Sequence, residues 1–357
     1  MSVFSAVGGA SKKGIVIKGG RFLEEMGKIK AIAFDKTRTL TKGTPIVTDI
    51  IPFGGNTEKD VIECLSGLES FSEHPISKSI LVYAKEHNLN LHSFDSYKAT
   101  SGKGVEGVCL VCTDSHRCAG TLAYMREEHG AVPDEIIKKG EMLEQQGKTL
   151  IFVSNGTEIK GIVGVTDEIK KDSAQTIKDL ERLGIASIML TGDTEAPAKA
   201  VAQTLGIQEV YASLLPEDKV SRINEIKKKY GSVGMVGDGV NDAPALATAS
   251  VGIAMASAGS DVAIENADIA IMNDRLSVLP ALVSIARKSN GIIRFNIVLA
   301  LITKVGFLGL AVSGQGNLVT AIVADVGVTI FVVLNSLRLY TYSGEAAKAE
   351  DSCATCE

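Results

Sequence analysis

Apolar positions along the chain fall into two regimes. Near the C-terminus, residues 295–312 (FNIVLALITKVGFLGLAV) and 317–337 (NLVTAIVADVGVTIFVVLNSL) are almost continuously apolar. Each is close to the ~20 residues an α-helix needs to cross a ~30 Å hydrocarbon core. Only Ser313-Gly314-Gln315-Gly316 separates them, so the spacing predicts a tight helical hairpin. Arg287, Lys288 and Arg294 precede it and Arg338 follows it, which places both ends in the cytosol.

Upstream, apolar runs are short and each ends in a polar cluster. Residues 29–34 lead into Asp35-Lys36-Thr37, 185–190 into Thr191-Gly192-Asp193, and 232–236 into Gly237-Asp238-Gly239. Helical patterns at 196–205 and 217–230 lie between the last two. Apolar strands alternating with helices predict a parallel α/β sheet, whose ligands bind beyond the carboxyl ends of the strands. Residues 48–164 interrupt this alternation with helical patterns of their own (58–70, 76–87) and strand-like runs (105–112, 149–154). That length suffices for a separate inserted lobe.

Composition adds three constraints. Lys+Arg 37 against Asp+Glu 42 gives a net charge of −5, which argues against a general nucleic-acid binder. Mean hydropathy is +0.18, high for a wholly soluble enzyme, and the hairpin accounts for the surplus. Six cysteines are too sparse for a secreted disulfide framework. Residues 1–10 lack the basic head and apolar run of a signal peptide.

The three strand ends define one composite site. A carboxylate such as Asp35 can attack a phosphoryl group and form an acyl phosphate. The transfer spreads negative charge over the phosphoryl oxygens, so cations and hydrogen-bond donors must surround it. Thr191 offers a hydroxyl, Gly192 a backbone N–H and Lys219 a positive charge. Asn241 can orient phosphoryl oxygens, and Asp35, Asp238 and Asp242 supply hard oxygens suited to Mg²⁺.

The set DKTRTLT (35–41), TGD (191–193) and GDGVNDAPAL (237–246) resembles the P-type ATPases, whose catalytic domain belongs to the haloacid dehalogenase superfamily. Ser72-Glu73-His74-Pro75 is similar to the element marking their heavy-metal subfamily, and 101–105 (SGKGV) to its nucleotide-binding glycines. The resemblance implies a haloacid-dehalogenase-like parallel sheet with an inserted α+β nucleotide-binding domain and a C-terminal transmembrane hairpin. It implies phosphorylation of Asp35 by ATP, with Lys36, Thr37, Thr191, Gly192, Asp193, Lys219, Asn241 and Asp242 in the catalytic loops. Mg²⁺ would lie on Asp35, Asp238 and the Thr37 carbonyl. Glu73, His74, Gly102 and Gly104 would line the adenine pocket. The implied boundaries are 1–26 (membrane-helix remnant and linker), 27–47 plus 165–290 (phosphorylation domain), 48–164 (nucleotide-binding domain), 292–340 (two transmembrane helices) and 341–357 (a flexible tail).

Lys304 and Asp325 each lie near the middle of an apolar stretch, where a charge costs at least ~2.5 kcal/mol on insertion scales and usually marks an ion path or a pair. Asp325-Val326-Gly327 after a lysine-bearing helix resembles the zinc/cadmium/lead group. That implies Asp325 as ligand to transported Zn²⁺, Cd²⁺ or Pb²⁺, Lys304 as its counter-charge, and a multi-pass cell-membrane protein with cytoplasmic catalytic domains.

Three features depart from, or stand outside, that pattern. The family carries glycine where this chain has Arg38, whose bulk and charge beside Asp35 are expected to strain the loop or neutralise the aspartate, reducing phosphorylation. No Thr-Gly-Glu actuator loop and no Cys-Pro-Cys occur in the sequence, so the chain is expected to be the rear half of a pump. Its partner would be a separate chain carrying the actuator, or else the chain is a remnant that binds ATP or metal without turnover. A membrane-anchored phosphatase of the same superfamily is a further alternative, but its second Asp would stand where Thr37 does. Cys353 and Cys356 form a tail pair suited to a soft metal. Cys109 and Cys112, weighed with His116 and Cys118 as zinc ligands, fall in an expected strand whose odd spacing would put the pair on opposite faces.

Overall fold

A computed structural model of the chain describes residues 1–72, 74–100, 103–112, 116–156, 158–238, 242–256, 265–314 and 317–342. In chain order the strands are β1 (Ile15–Ile17), β2 (Ala31–Asp35), β3 (Thr41–Pro52), β4 (Phe94–Thr100), β5 (Gly104–Cys109), β6 (His116–Gly120), β7 (Thr149–Asn155), β8 (Glu158–Ile169), β9 (Ala186–Leu190), β10 (Glu209–Tyr211), β11 (Val233–Gly237), β12 (Val251–Met255) and β13 (Ile269–Ile271). They form a seven-stranded sheet, β1-β13-β12-β11-β2-β9-β10, and a six-stranded sheet, β3-β8-β7-β6-β5-β4.

The first sheet is parallel apart from β1, which pairs antiparallel with β13. Its central strand β2 is buried at every position, so it reads as a continuous apolar run rather than an alternating one. Ile32 and Phe34 face one layer, with Leu23, Leu180, Val201, Leu282 and Ile285. Ala31 and Ala33 face the other, where Ile223, Ile226 and Leu246 pack. β9 and β11 flank β2 in parallel register, Asp35 opposite Leu190 and Phe34 opposite Val236. All three carboxyl ends therefore open on the same edge.

The second sheet is antiparallel. Val61, Leu65 and Leu68 of the Glu58–Glu69 helix cover one face with Ile80 of the Pro75–Glu86 helix. Met125, Ile136 and Leu143 cover the other. β3 and β8 extend beyond 48 and 164, the limits read from sequence. Their paired ends reach the loop after Asp35, where the Lys170 N–H donates to the Leu40 carbonyl at 3.0 Å.

The Val278–Val312 helix is continuous over 35 residues. Its first turns are core: Leu279, Leu282, Val283, Ile285 and Ala286 are fully buried. Its later turns, with the Leu318–Leu337 helix, form the membrane-spanning hairpin. Ile302 and Val305 there are 65% and 67% exposed, apolar surface that water would not tolerate on this scale. The N-terminal Ser2–Ser11 helix meets the hairpin at a buried polar cluster. The Ser2 and Ser336 hydroxyls lie 2.7 Å apart, and Asn296 Nδ2 donates to Ser336 at 3.2 Å.

Candidate functional site

Asp35 ends β2 and is 6% exposed. Lys219 reaches it from the first turns of the Pro216–Tyr230 helix, although it lies 184 residues away. Lys219 Nζ donates to Asp35 Oδ1 at 2.6 Å and to Asp242 Oδ1 at 2.7 Å, so one ammonium holds two buried carboxylates. Asp242 fits there because Gly237 has no side chain: a Cβ at Gly237 would stand 2.7 Å from Asp242 Oδ2. Burial, reinforced by the Asp242 charge, pushes the Asp35 carboxyl well above its usual range against the pull of Lys219. Burial raises Asp242 as well. The two carboxylates raise Lys219, which stays protonated despite its own burial.

Thr191 follows β9 and is buried. Its Oγ1 accepts from the Asp193 N–H at 3.1 Å, which leaves its proton free to donate. Gly192 beside it is exposed. Lys36 is buried and its ammonium pairs with Asp193, tying the first loop to the second. Asp238, directly after β11, borders the same cleft. Its Oδ2 lies 3.9 Å from Arg38 Nη1.

The Lys36–Leu40 turn is irregular. Thr37 is extended (φ −75°, ψ 130°) and Arg38 is left-handed (φ 60°, ψ 0°), a conformation that costs a residue with a Cβ ~1–2 kcal/mol. The Arg38 stem lies over Gly43, where an added Cβ would stand 2.0 Å from Arg38 Cγ. The expected strain is thus located in the backbone, and the expected neutralisation falls on Asp238 rather than on Asp35.

Residues without any motif hold this turn in place. Asp167 accepts from Thr41 Oγ1 at 2.5 Å and from the Gly43 N–H at 2.9 Å. Lys170 Nζ donates to the Arg38 carbonyl at 3.0 Å and to Asp274 at 2.8 Å. Ser173 Oγ donates to the Leu40 carbonyl at 2.8 Å. The only sequence signal for them is their place at the end of the insertion.

Asn241 lies outside the described residues, as do Glu73 and Gly102, expected in the adenine pocket, and Cys353 and Cys356 of the tail. His74 caps the Pro75–Glu86 helix, its Nδ1 accepting from the Ile76 N–H at 3.3 Å. Burial depresses its pKa, favouring the neutral ring. Gly104 has a packing reason of its own: a Cβ there would lie 2.3 Å from the Ala119 carbonyl and 2.7 Å from the Tyr124 ring. Lys304 and Asp325 are both exposed on the hairpin, and among the described residues no ion pair joins them.

The donor set fits Mg²⁺. Asp35, Asp238 and Asp242 offer hard oxygens, and two buried carboxylates on one ammonium leave negative charge for a cation to offset. A buried carboxylate at the carboxyl end of a parallel strand, with a hydroxyl, an ammonium and further carboxylates around it, is suited to phosphoryl transfer.

Comparison with known proteins agrees. The profile of the haloacid dehalogenase-like hydrolases matches residues 29–250. The "Probable cadmium-transporting ATPase" of Staphylococcus aureus (strain MRSA252) is 42% identical over 350 residues, which are 95% of this chain and 47% of that protein. A crystal structure of a zinc-transporting PIB-type ATPase in the E2.Pi state superposes with a TM-score of 0.73 at 35% identity, over 95% of this chain and 54% of that one. The solved catalytic domain of the CPx-ATPase CopB-B is 31% identical with a TM-score of 0.57, covering 76% of this chain and 97% of the domain. The chain belongs to the heavy-metal P-type ATPases of the haloacid dehalogenase superfamily and contains their phosphorylation and nucleotide-binding domains. It spans about half the length of the curated relatives it matches.

Proposed function

We propose that the chain is the ATP-driven portion of an exporter of divalent heavy metals, of the Zn²⁺, Cd²⁺ and Pb²⁺ class, acting through an aspartyl phosphate. The observation that carries this reading is the bridge from Lys219 to Asp35 and Asp242 at the sheet edge. Asp35 attacks the γ-phosphorus of ATP; the Asp35 Oδ–P bond forms, the bond to the bridging oxygen breaks, and ADP leaves. Lys219 and the Thr191 hydroxyl offset charge on the phosphoryl oxygens, and Asn241 orients them. Asp35, Asp238 and the Thr37 carbonyl would hold Mg²⁺, which when bound would supply positive charge to the transferring group. Asp242 keeps Lys219 aimed at Asp35, Asp193 anchors Lys36, and the backbone N–H of Gly192 completes the second loop. His74, Gly104, Glu73 and Gly102 belong to the adenine pocket of the second lobe. Asp325 with Lys304 marks the ion path, and Cys353 and Cys356 form a metal-handling tail. Hydrolysis of the acyl phosphate requires an actuator domain, supplied by further sequence or by a separate chain.

A second reading has one specific observation in its favour. Arg38 is left-handed and its guanidinium faces Asp238. In that reading the chain binds nucleotide or metal without turnover. Incubating the full chain in detergent with Mg²⁺, heavy metal and γ-labelled ATP separates the two. Hydroxylamine-labile label that disappears in Asp35→Asn, weak in the wild type and stronger in Arg38→Gly, supports the pump. Retained nucleotide binding with no label in either the wild type or Arg38→Gly supports the second reading.

A further inference from the structure

Away from the phosphorylation site, the second lobe gathers three soft and borderline ligands. His92 precedes β4, Cys109 ends β5, and Cys112 follows in the bend after it. β5 stops at Cys109, so the opposite-face argument for a strand running to 112 does not apply, and the bend returns Cys112 toward its neighbour. His92 Nδ1 stands 3.6 Å from Cys109 Sγ and 3.5 Å from Cys112 Sγ. The three ligand atoms all lie within 4.8 Å of one another. His116 and Cys118, the partners weighed from sequence, are engaged elsewhere: Cys118 with Ser154 at 2.7 Å and His129 at 3.2 Å, His116 with Glu106 at 3.6 Å.

We propose that His92, Cys109 and Cys112 form a binding site for a thiophilic divalent cation of the Zn²⁺/Cd²⁺ class on the second lobe, separate from Asp35 and from the membrane hairpin. The two nitrogen–sulfur distances are those of a tetrahedral site. Zn–S of ~2.3 Å and Zn–N of ~2.0–2.1 Å at tetrahedral angles put sulfur and nitrogen ~3.6 Å apart. Two thiolates and an imidazole suit a borderline-soft ion and not Mg²⁺, whose ligands are oxygens. The scaffold is already fixed. The His92 N–H donates to the Glu63 carbonyl at 3.1 Å, and the Leu110 N–H donates to the Ser93 carbonyl at 2.9 Å, so both sides of the site are pinned without a metal. Cys109 is buried while His92 and Cys112 are half-buried, and the three supply three of the four ligands a tetrahedral ion takes. A bound ion would clamp the open end of the β4–β5 hairpin, whose other end begins at Gly104.

The probe is Cd²⁺, titrated into the full chain in detergent under a non-thiol reductant. Cys353 and Cys356 are both replaced by Ser, so that the tail contributes no thiolate. We expect one equivalent to raise a cadmium–thiolate charge-transfer band in the ultraviolet. His92→Ala or Cys112→Ser weakens binding at least tenfold while leaving the circular dichroism unchanged. Cys118→Ser leaves the band intact. Absence of the band, or a band that survives in both His92→Ala and Cys112→Ser, overturns the assignment. Cadmium-113 resonance in the range of a two-sulfur, one-nitrogen site supports it; an all-oxygen shift overturns it.

Discussion

Arg38 Nη1 stands 3.9 Å from Asp238 Oδ2, and its stem closes over Gly43 from a left-handed backbone. A cation is thereby built into the mouth of the acidic cleft where, on the proposed reading, Mg²⁺ binds. The guanidinium side chain is half exposed, so its grip on Asp238 is modest. Its consequences should nonetheless be measurable at a site whose metal has few ligands to spare.

Replacing Arg38 with Gly removes both the competing charge and the left-handed strain. The variant should bind Mg²⁺ several-fold more tightly in calorimetric titration. It should also be more stable to denaturant by about 1 kcal/mol, since glycine adopts φ 60° freely. Equal Mg²⁺ affinity in the two proteins would show that the ion pair does not reach the metal site. Gly43→Ala makes the reciprocal test. It should be strongly destabilising beside Arg38 and much less so in the Arg38→Gly background, where only the φ 69° strain remains.

Lys219 bridges Asp35 and Asp242, so Lys219→Met leaves two buried carboxylates facing each other. Unfolding free energy should fall by about 3 kcal/mol, in the range for breaking a buried pair from one side, and aspartyl phosphate should be lost. Asp242→Asn leaves a one-to-one Lys219–Asp35 pair and should cost less. Equilibrium denaturation of the two variants reads the difference; a larger loss in Asp242→Asn would contradict the bridge.

The raised carboxyls have a stability signature of definite sign. In the metal-free fold Asp35 holds a proton above 3.8, its ordinary pKa, where the unfolded chain releases it. Its stabilising contribution is therefore full below 3.8 and is lost as pH rises through the folded value. Metal-free wild type should lose stability toward neutral pH relative to Asp35→Asn, and Mg²⁺ should flatten the slope. Parallel stability–pH curves for the two proteins would contradict the shift.

The Glu58–Glu69 helix carries the opposite sign. Asp60 accepts from Thr57 Oγ1 at 2.7 Å and from the Thr57 N–H at 2.8 Å, while its own N–H donates back to Thr57 Oγ1 at 3.2 Å. These bonds hold the Asp60 carboxyl below its ordinary 3.8. Its contribution is present above 3.8 and disappears as pH falls through the lower folded value. Thr57→Ala should cost about 1 kcal/mol at neutral pH. Asp60→Asn should converge with wild type in acid, as thermal unfolding across pH would show.

The strand ends that carry Asp35, Thr191 and Asp238 were legible because central parallel strands are apolar throughout and stop abruptly at polar loops. The hairpin was legible by length and composition alone. Two kinds of feature were not. Asp167, Lys170 and Ser173 grip the turn through hydrogen bonds across more than 120 residues of chain, and no local pattern encodes such contacts. The strain at Arg38 was legible from its replacing glycine, but not that its guanidinium would pair with Asp238 rather than with Asp35, because that depends on a contact 200 residues along the chain. The cysteines failed for a simpler reason: periodicity across 105–112 assumed a strand running three residues past the end of the one that forms.

The Val278–Val312 helix has a mechanical consequence. It is roughly 50 Å long at 1.5 Å per residue, buried in the sheet's flank at one end and lipid-facing at the other. With no loop between those ends, it acts as a lever arm rather than a tether. A 10° tilt of the phosphorylation domain, carried rigidly, would sweep the far tip by about 9 Å, nearly the width of a helix. Movements too small to open a cleft at Asp35 would thus be large on the scale of a passage between membrane helices.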